Sequence, residues 1–261
     1  MLASAVVDRI DSSMKFCVRS ELSEKAELAR LPYGSIHMVK TSFLDEISAS
    51  KLADAAYDGA SVIEVGDINT DGASDEFLRS LVTTGIDPLE ALVNGIYETG
   101  VYGVGIEAKE RCKASVERRV DFLCSMGAGF HNDTDWQWPS CLFWVLALDV
   151  QDVEFVVPHV GFRAPVARGD LIVFDPSLAH GLCKTSDHGL FVREHFEGDS
   201  GDHVQAFLSG ELLLDDAQWE ALGCKWQQRS DAAFDGAVSL LSAEFDARSG
   251  QICRAEGLVQ R

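Results

Sequence analysis

Between Val120 and Phe196 the chain is cut into short apolar, β-branched and aromatic runs by Gly, Pro and Asp. This rhythm constrains the fold more than any other feature of the sequence. Runs at Val120–Met126, Cys141–Asp149, Val153–Val157, Leu171–Phe174, His180–Lys184 and Leu190–Phe196 have the length and composition of strands. Several short strands separated by turn signals predict a β-sandwich or jelly roll.

The flanks read differently. Residues 1–117 look mixed and mostly helical. Ser42-Phe43-Leu44-Asp45 fits a helix-start pattern with the helix ending near Gly59. A second helix is expected from Ser74 to Gly85. A third should start at Asp87-Pro88, a cap followed by proline at the first helical position, and stop at Gly100. Val101 to Ile106 reads as a strand. In residues 199–261, helices are expected from Asp215 and from Ser230 to about Ala247. The expectation is one domain over 1–261, with an N-terminal helical or mixed part (1–117), a jelly-roll core (118–198) and a C-terminal helical part (199–261). That makes a mainly β core with flanking α-helices, a double-stranded β-helix of cupin-like type.

Composition excludes some function classes. With 261 residues and 46% hydrophobic content, the chain is long enough to bury a substantial core. Its formal net charge of -20 repels phosphate backbones and anionic lipid, so neither a nucleic-acid nor a membrane partner is expected. The longest apolar run, Cys141 to Leu148, falls far short of the ~20 residues of a spanning helix. No basic start followed by a long apolar stretch opens the sequence, so no secretory signal is read. The seven cysteines are scattered, odd in number and lack a C-x-x-C. This predicts neither a disulfide framework nor a zinc ribbon, and points to a reducing cytoplasm.

The segment that carries chemistry is Gly127-Ala-Gly-Phe-His131-Asn-Asp133-Thr-Asp135-Trp136. In extended chain, His131 and Asp133 point to one face. An imidazole beside a carboxylate at a strand end suits a divalent metal. His180 supplies a third ligand from a distant strand, forty-seven residues beyond Asp133 and after the turn and buried run Arg168-Gly-Asp-Leu-Ile-Val-Phe-Asp175. Two histidines and one carboxylate form a facial set that leaves positions open and suits Fe(II) oxygen chemistry.

The His-x-Asp … Gly-Asp-x-x-x-Phe … His pattern resembles the Fe(II)/2-oxoglutarate-dependent dioxygenase superfamily over roughly residues 120–196. The resemblance implies that His131, Asp133 and His180 are the catalytic iron ligands, with 2-oxoglutarate and O2 as co-substrates. It also implies a hydroxylase acting on an unactivated C–H bond, with succinate and CO2 released. The intact carboxylate at Asp133 argues against halogenation, since related halogenases carry a small residue there. The family further needs a basic residue for the distal carboxylate of 2-oxoglutarate. Arg193 lies thirteen residues beyond His180. If Asp187-His188 forms a two-residue hairpin loop, Arg193 pairs with Leu182 and shares a face with His180, about 7 Å along the strand. The spacing is slightly long for the family, and His195 stands where a Ser or Thr is often found. Lys184, which shares parity with His180, is the fallback.

Asp135, Trp136 and Arg163 are candidate substrate contacts. Trp138 could wall the same pocket, and Trp136 and Trp138 could equally be core. His159 and His195 read as ordinary strand histidines, and Trp144 as core. Gly103-Val-Gly105 lacks the third glycine and the context of a dinucleotide site. The expected substrate is a small molecule, such as a free or modified amino acid or a metabolic intermediate. Three alternatives stay open: a protein side-chain hydroxylase, a cupin-type metalloenzyme without 2-oxoglutarate, and a non-enzymatic metal-binding module. The cupin-type alternative predicts that Arg193 points away from the metal. The sequence leaves the oligomeric state open.

Overall fold

The computed structural model describes residues 36–39, 46–60, 65–66, 68–72, 88–117, 120–131, 141–158, 161–174, 176, 179–197, 203–215, 217–218, 244–250 and 252–254. In chain order the elements are β1 (Ile36–Val39), α1 (Glu46–Gly59), β2 (Val65–Gly66), β3 (Ile68–Gly72), α2 (Pro88–Glu98), α3 (Ile106–Glu117), β4 (Asp121–His131) and β5 (Cys141–Asp149). They continue with β6 (Val153–Val157), β7 (Phe162–Pro165), β8 (Leu171–Phe174), β9 (His180–Lys184), β10 (Gln205–Leu213), β11 (Glu244–Phe245) and β12 (Ile252–Arg254).

Ten strands form one curled sheet in the order β1-β8-β5-β10-β4-β9-β6-β7, with β2 and β3 also on β4. Every pairing along that path is antiparallel. The sheet folds over on itself into a sandwich with a jelly-roll-like core. The fold turns on β4. Its first half pairs with β10 and β3, and its second half with β9 and β2. Two irregularities bend it from one layer into the other. Gly127 sits at φ 83°, a conformation glycine adopts without steric cost. Further on, Ala128 and His131 face Leu182 and His180, so three steps on β4 oppose two on β9. Such a bulge adds a residue, kinks the strand and increases its twist.

The core has two layers because the central strands are apolar on both faces. Along β5, Leu142, Trp144, Leu146 and Leu148 face the helices and are fully buried, while Phe143 and Ala147 face the opposite layer. The outer layer is closed by Ala49, Leu52, Ala53 and Ala56 of α1, spaced as one helical stripe. Leu92, Val93 and Ile96 of α2 join it. The Tyr57 hydroxyl ties the end of α1 to the sheet, donating to Asp149 Oδ2 and sharing the Val204 carbonyl, each at 2.9 Å. Burial, with the Asp149 carboxylate adding to it, pushes that phenol above its ordinary range.

Strands β5, β6, β8 and β9 have the bounds read from sequence, and α2 begins at Pro88 as expected. Other expectations are corrected. No strand forms at Leu190–Phe196; Arg193–His195 is a 3-10 turn. The reason is topological. Leu182 of β9 already pairs with Ala128 on one side and Phe155 on the other, so β9 has no edge left for a hairpin partner. The expected two-residue loop is instead a 3-10 turn at Thr185–Asp187 followed by His188 in the left-handed region. Where a strand was expected over Val101–Ile106, residues 101–105 form a turn, with Gly103 and Gly105 at φ 70° and 121°, and Ile106 begins α3. The largest correction is β10, a central strand within the stretch expected to be helical. The expected helix at 230–247 is contradicted at its end by β11. Its earlier part, like the expected 74–85 helix, lies outside the described residues. At Asp215 the helix start holds: Asp215 Oδ1 accepts from the Gln218 amide and Gln218 Oε1 from the Asp215 amide, each at 2.9 Å. This is a reciprocal capping box.

Candidate metal centre

The last residue of β4 and the first of β9 are direct cross-strand partners, and they are His131 and His180. Their ring centroids stand 4.5 Å apart at 55°. That separation lets one nitrogen from each ring reach a common ion with metal–nitrogen bonds of about 2.0–2.1 Å. The β4 bulge produces this meeting. Its inward-facing residues are Leu123, Ser125, Ala128 and His131, a spacing that strict alternation does not give.

Each ring is held in its own way. His131 Nδ1 lies 2.8 Å from the Gly129 carbonyl oxygen. A carbonyl only accepts, so in the neutral ring the proton sits on Nδ1 and the lone pair is on Nε2. A backbone carbonyl on the distal nitrogen is the support commonly found behind a metal-binding histidine, since it sets both tautomer and ring orientation. His180 is buried and boxed by aromatic rings, with Phe174 at 4.7 Å and Phe155 at 5.8 Å between centroids. The donor set of the pair therefore fits a divalent transition metal. Asp133, the expected third ligand, lies outside the described residues, as do Asp135, Trp136, Trp138 and His159. Among the described residues no group of three His, Cys, Asp or Glu gathers as a metal site.

Both histidines open onto a cavity of about 310 Å³ between the two layers. Eleven of its sixteen described lining residues carry apolar side chains, with Phe143, Phe155, Phe174 and Phe207 the largest. Besides the histidines, the polar side chains among the described lining residues are Ser125 and Ser209. Sequence reasoning passed over both. Ser125 stands two residues before the bend at Gly127 with no motif around it, and Ser209 lies on the unrecognised β10. The alternation of Phe207 and Ser209 against Ala206 and Leu208 was the available signal.

The basic candidates separate. Arg193 stands on the 3-10 turn with its side chain 56% exposed, and its Nε donates to Glu197 Oε1 at 3.0 Å. It is not among the described residues lining the cavity. Lys184 ends β9 on the parity of His180 and Leu182, and its ammonium lies 4.9 Å above the Phe196 ring, itself part of the cluster between the layers. Arg163 is held by a structural pair: its Nε bonds the buried Glu154 Oε2 at 2.5 Å, while Glu154 Oε1 accepts the Gly189 amide at 2.7 Å. His195 Nδ1 pairs with Asp187 Oδ1 at 2.6 Å. Trp144 is fully buried.

No protein-family model matches the chain, and no curated protein matches it in sequence. Among solved structures it is similar to the non-haem alpha-ketoglutarate-dependent epimerase SnoN from nogalamycin biosynthesis. The identity is 14% and the TM-score 0.37, over 85% of this chain and 91% of that one.

Proposed function

We propose that this chain is a non-haem Fe(II)- and 2-oxoglutarate-dependent oxygenase built on a double-stranded β-helix, hydroxylating a small molecule. The observation that carries this reading is the opposition of His131 and His180 across β4 and β9, at the wall of an apolar cavity. His131 and His180 would hold the metal through ring nitrogens and Asp133 through its carboxylate. When bound, iron and 2-oxoglutarate supply O2 activation, with one oxygen atom going to succinate and the other to the hydroxylated product as CO2 leaves. The chain's own part is positional. The Gly129 carbonyl keeps the His131 proton on Nδ1, Phe155 and Phe174 fix the His180 ring, and the apolar walls exclude water, which strengthens every electrostatic contact inside. Lys184 is the basic residue on the cavity strand itself.

Anaerobic addition of Fe(II) and then 2-oxoglutarate is the test. A weak visible charge-transfer band should appear, and should be absent in His131→Ala and in His180→Ala. Failure of the wild type to take up iron would end the proposal. A second reading, a cupin-type metalloenzyme without 2-oxoglutarate, is favoured by one observation: Arg193 stands in solvent, paired with Glu197. Iron uptake without the 2-oxoglutarate band, and turnover without succinate, would select it. A cytoplasmic location and the absence of nucleic-acid and membrane partners belong to the same proposal.

A further inference from the structure

We propose that the turn at Asp246–Gly250 is a positioning element of the metal centre: its Ala247 carbonyl, acting through the peptide group that joins Gly129 to Phe130, fixes the His131 ring for an ion. The proposal rests on the reading that His131 holds the metal, and its first measurement is made without one.

The turn lies between β11 and β12 and is closed by its own backbone and its first side chain. The Gly250 amide donates to the Asp246 carbonyl at 2.7 Å. Asp246 Oδ1 accepts the Ser249 amide and hydroxyl, each at 2.7 Å, and the Arg248 amide at 3.2 Å. Held in this way, the turn presents two carbonyls to its neighbours. Ala247 O accepts the Phe130 amide at 2.9 Å, and Arg248 O accepts the Phe191 amide at 2.8 Å.

The Phe130 amide and the Gly129 carbonyl belong to one peptide group, which is planar. Its N–H is held by Ala247, and its oxygen lies 2.8 Å from His131 Nδ1. Turning that plane to lose one bond disturbs the other. Hydrogen bonds in a chain also polarise one another, so the bond to Ala247 makes the Gly129 oxygen a better acceptor for the Nδ1 proton. The effect reaches the far side of the ring, because Nε2 has a lone pair for an ion only while the proton stays on Nδ1.

The same turn also touches the partner strand through one side chain. A Cβ on Gly250, at φ 67°, would stand 2.7 Å from Phe130 Cδ1, and a Cβ on Gly181 would stand 3.0 Å from that atom. The buried Phe130 ring thus packs on both glycines. Phe130 precedes His131 and Gly181 follows His180, so this contact links the turn to each histidine's strand.

The test follows the proton first. Long-range 1H–15N NMR of the purified, metal-free protein, above the ordinary histidine titration range, reads the tautomer of each histidine. Wild-type His131 should carry its proton on Nδ1. Asp246→Ala removes the carboxylate that caps the turn, and Gly250→Ala drives the turn off Phe130. In both, the Phe130 amide should lose hydrogen-exchange protection and His131 should shift toward the Nε2–H form, while His180 keeps its tautomer. Anaerobic titration with Fe(II) alone should then show affinity lowered about tenfold, with Asp246→Asn, which keeps an oxygen acceptor, within about threefold of wild type. A wild-type His131 protonated on Nε2 overturns the proposal without any variant. So does a Phe130 amide that stays protected in both variants, or a freed Phe130 amide with tautomer and iron affinity unchanged. Any of these results alongside wild-type iron uptake sinks this proposal alone. The expected tautomers without iron uptake leave the turn's hold on the ring standing and sink the metal-centre reading alone.

Discussion

Replacing Gly127 by alanine puts a methyl group where there is no room. At φ 83° a residue with a Cβ loses about 1–2 kcal/mol to backbone sterics. The new Cβ would stand 2.5 Å from Cζ and 2.7 Å from both Cε atoms of Phe196. Phe196 is fully buried, and Phe191 stacks on it at 5.6 Å, so its ring cannot swing into solvent. Overpacking of this kind costs about 1–3 kcal/mol. Together the two terms give about 2–5 kcal/mol, or a Tm lower by roughly 5–15 °C for a chain of this size. Denaturant unfolding of Gly127→Ala, Phe196→Leu and the double variant separates them. Shortening Phe196 should recover about 1 kcal/mol or more of the alanine penalty, leaving the backbone part. Stability of Gly127→Ala within about 0.5 kcal/mol of wild type, or strict additivity of the two changes, would refute the packing described here.

Arg163→Met should cost about 2–3 kcal/mol, below the usual range for breaking a buried pair because Arg163 is 39% exposed. Glu154→Gln/Arg163→Met should recover part of this; unchanged stability with a raised KM would instead make Arg163 a substrate contact. The Ser249 hydroxyl and amide hold the Asp246 carboxyl below its ordinary range, and the turn it caps accepts the Phe130 and Phe191 amides at Ala247 and Arg248. A depressed carboxyl stabilises the fold above the ordinary carboxylate range and loses that contribution as pH falls through its folded value. Hydrogen exchange at Phe130, corrected for intrinsic rate, should therefore lose protection on acidification, and Asp246→Asn should abolish the dependence. Burial, with the Glu154 and Asp187 carboxylates adding to it, pushes the Cys183 thiol up to about 12. Native protein at pH 8 should leave Cys183 unlabelled by iodoacetamide, and rapid labelling would contradict its burial on β9 against Phe130 and Val156.

The sequence was most legible where local pattern and tertiary demand coincide. Runs such as Leu171–Phe174 have no polar residue, because both faces of β8 are covered, and their bounds follow directly. The histidine pair was legible because motif spacing survives the bulge that brings it together. Elements whose pairing is decided at long range were harder to read. Gly210 and Ser209 hid β10, whose strand identity comes from β4 and β5 on either side. The run around Phe191 has strand composition, but β9 offers it no edge. For the same reason Arg193 could not be placed from its distance to His180. Arg163 lacked its partner in any local window, since Glu154 meets it only through the β6–β7 register.

The two rings of the candidate centre do not start from equal footing. His180 begins a strand laced to neighbours on both edges, so its backbone is fixed before any ion arrives. His131 ends a kinked strand, and the carbonyl two residues back helps to aim its ring. An ion bound at the pair would therefore draw more of its ordering cost from the β4 side, where the kink has to be propped from outside.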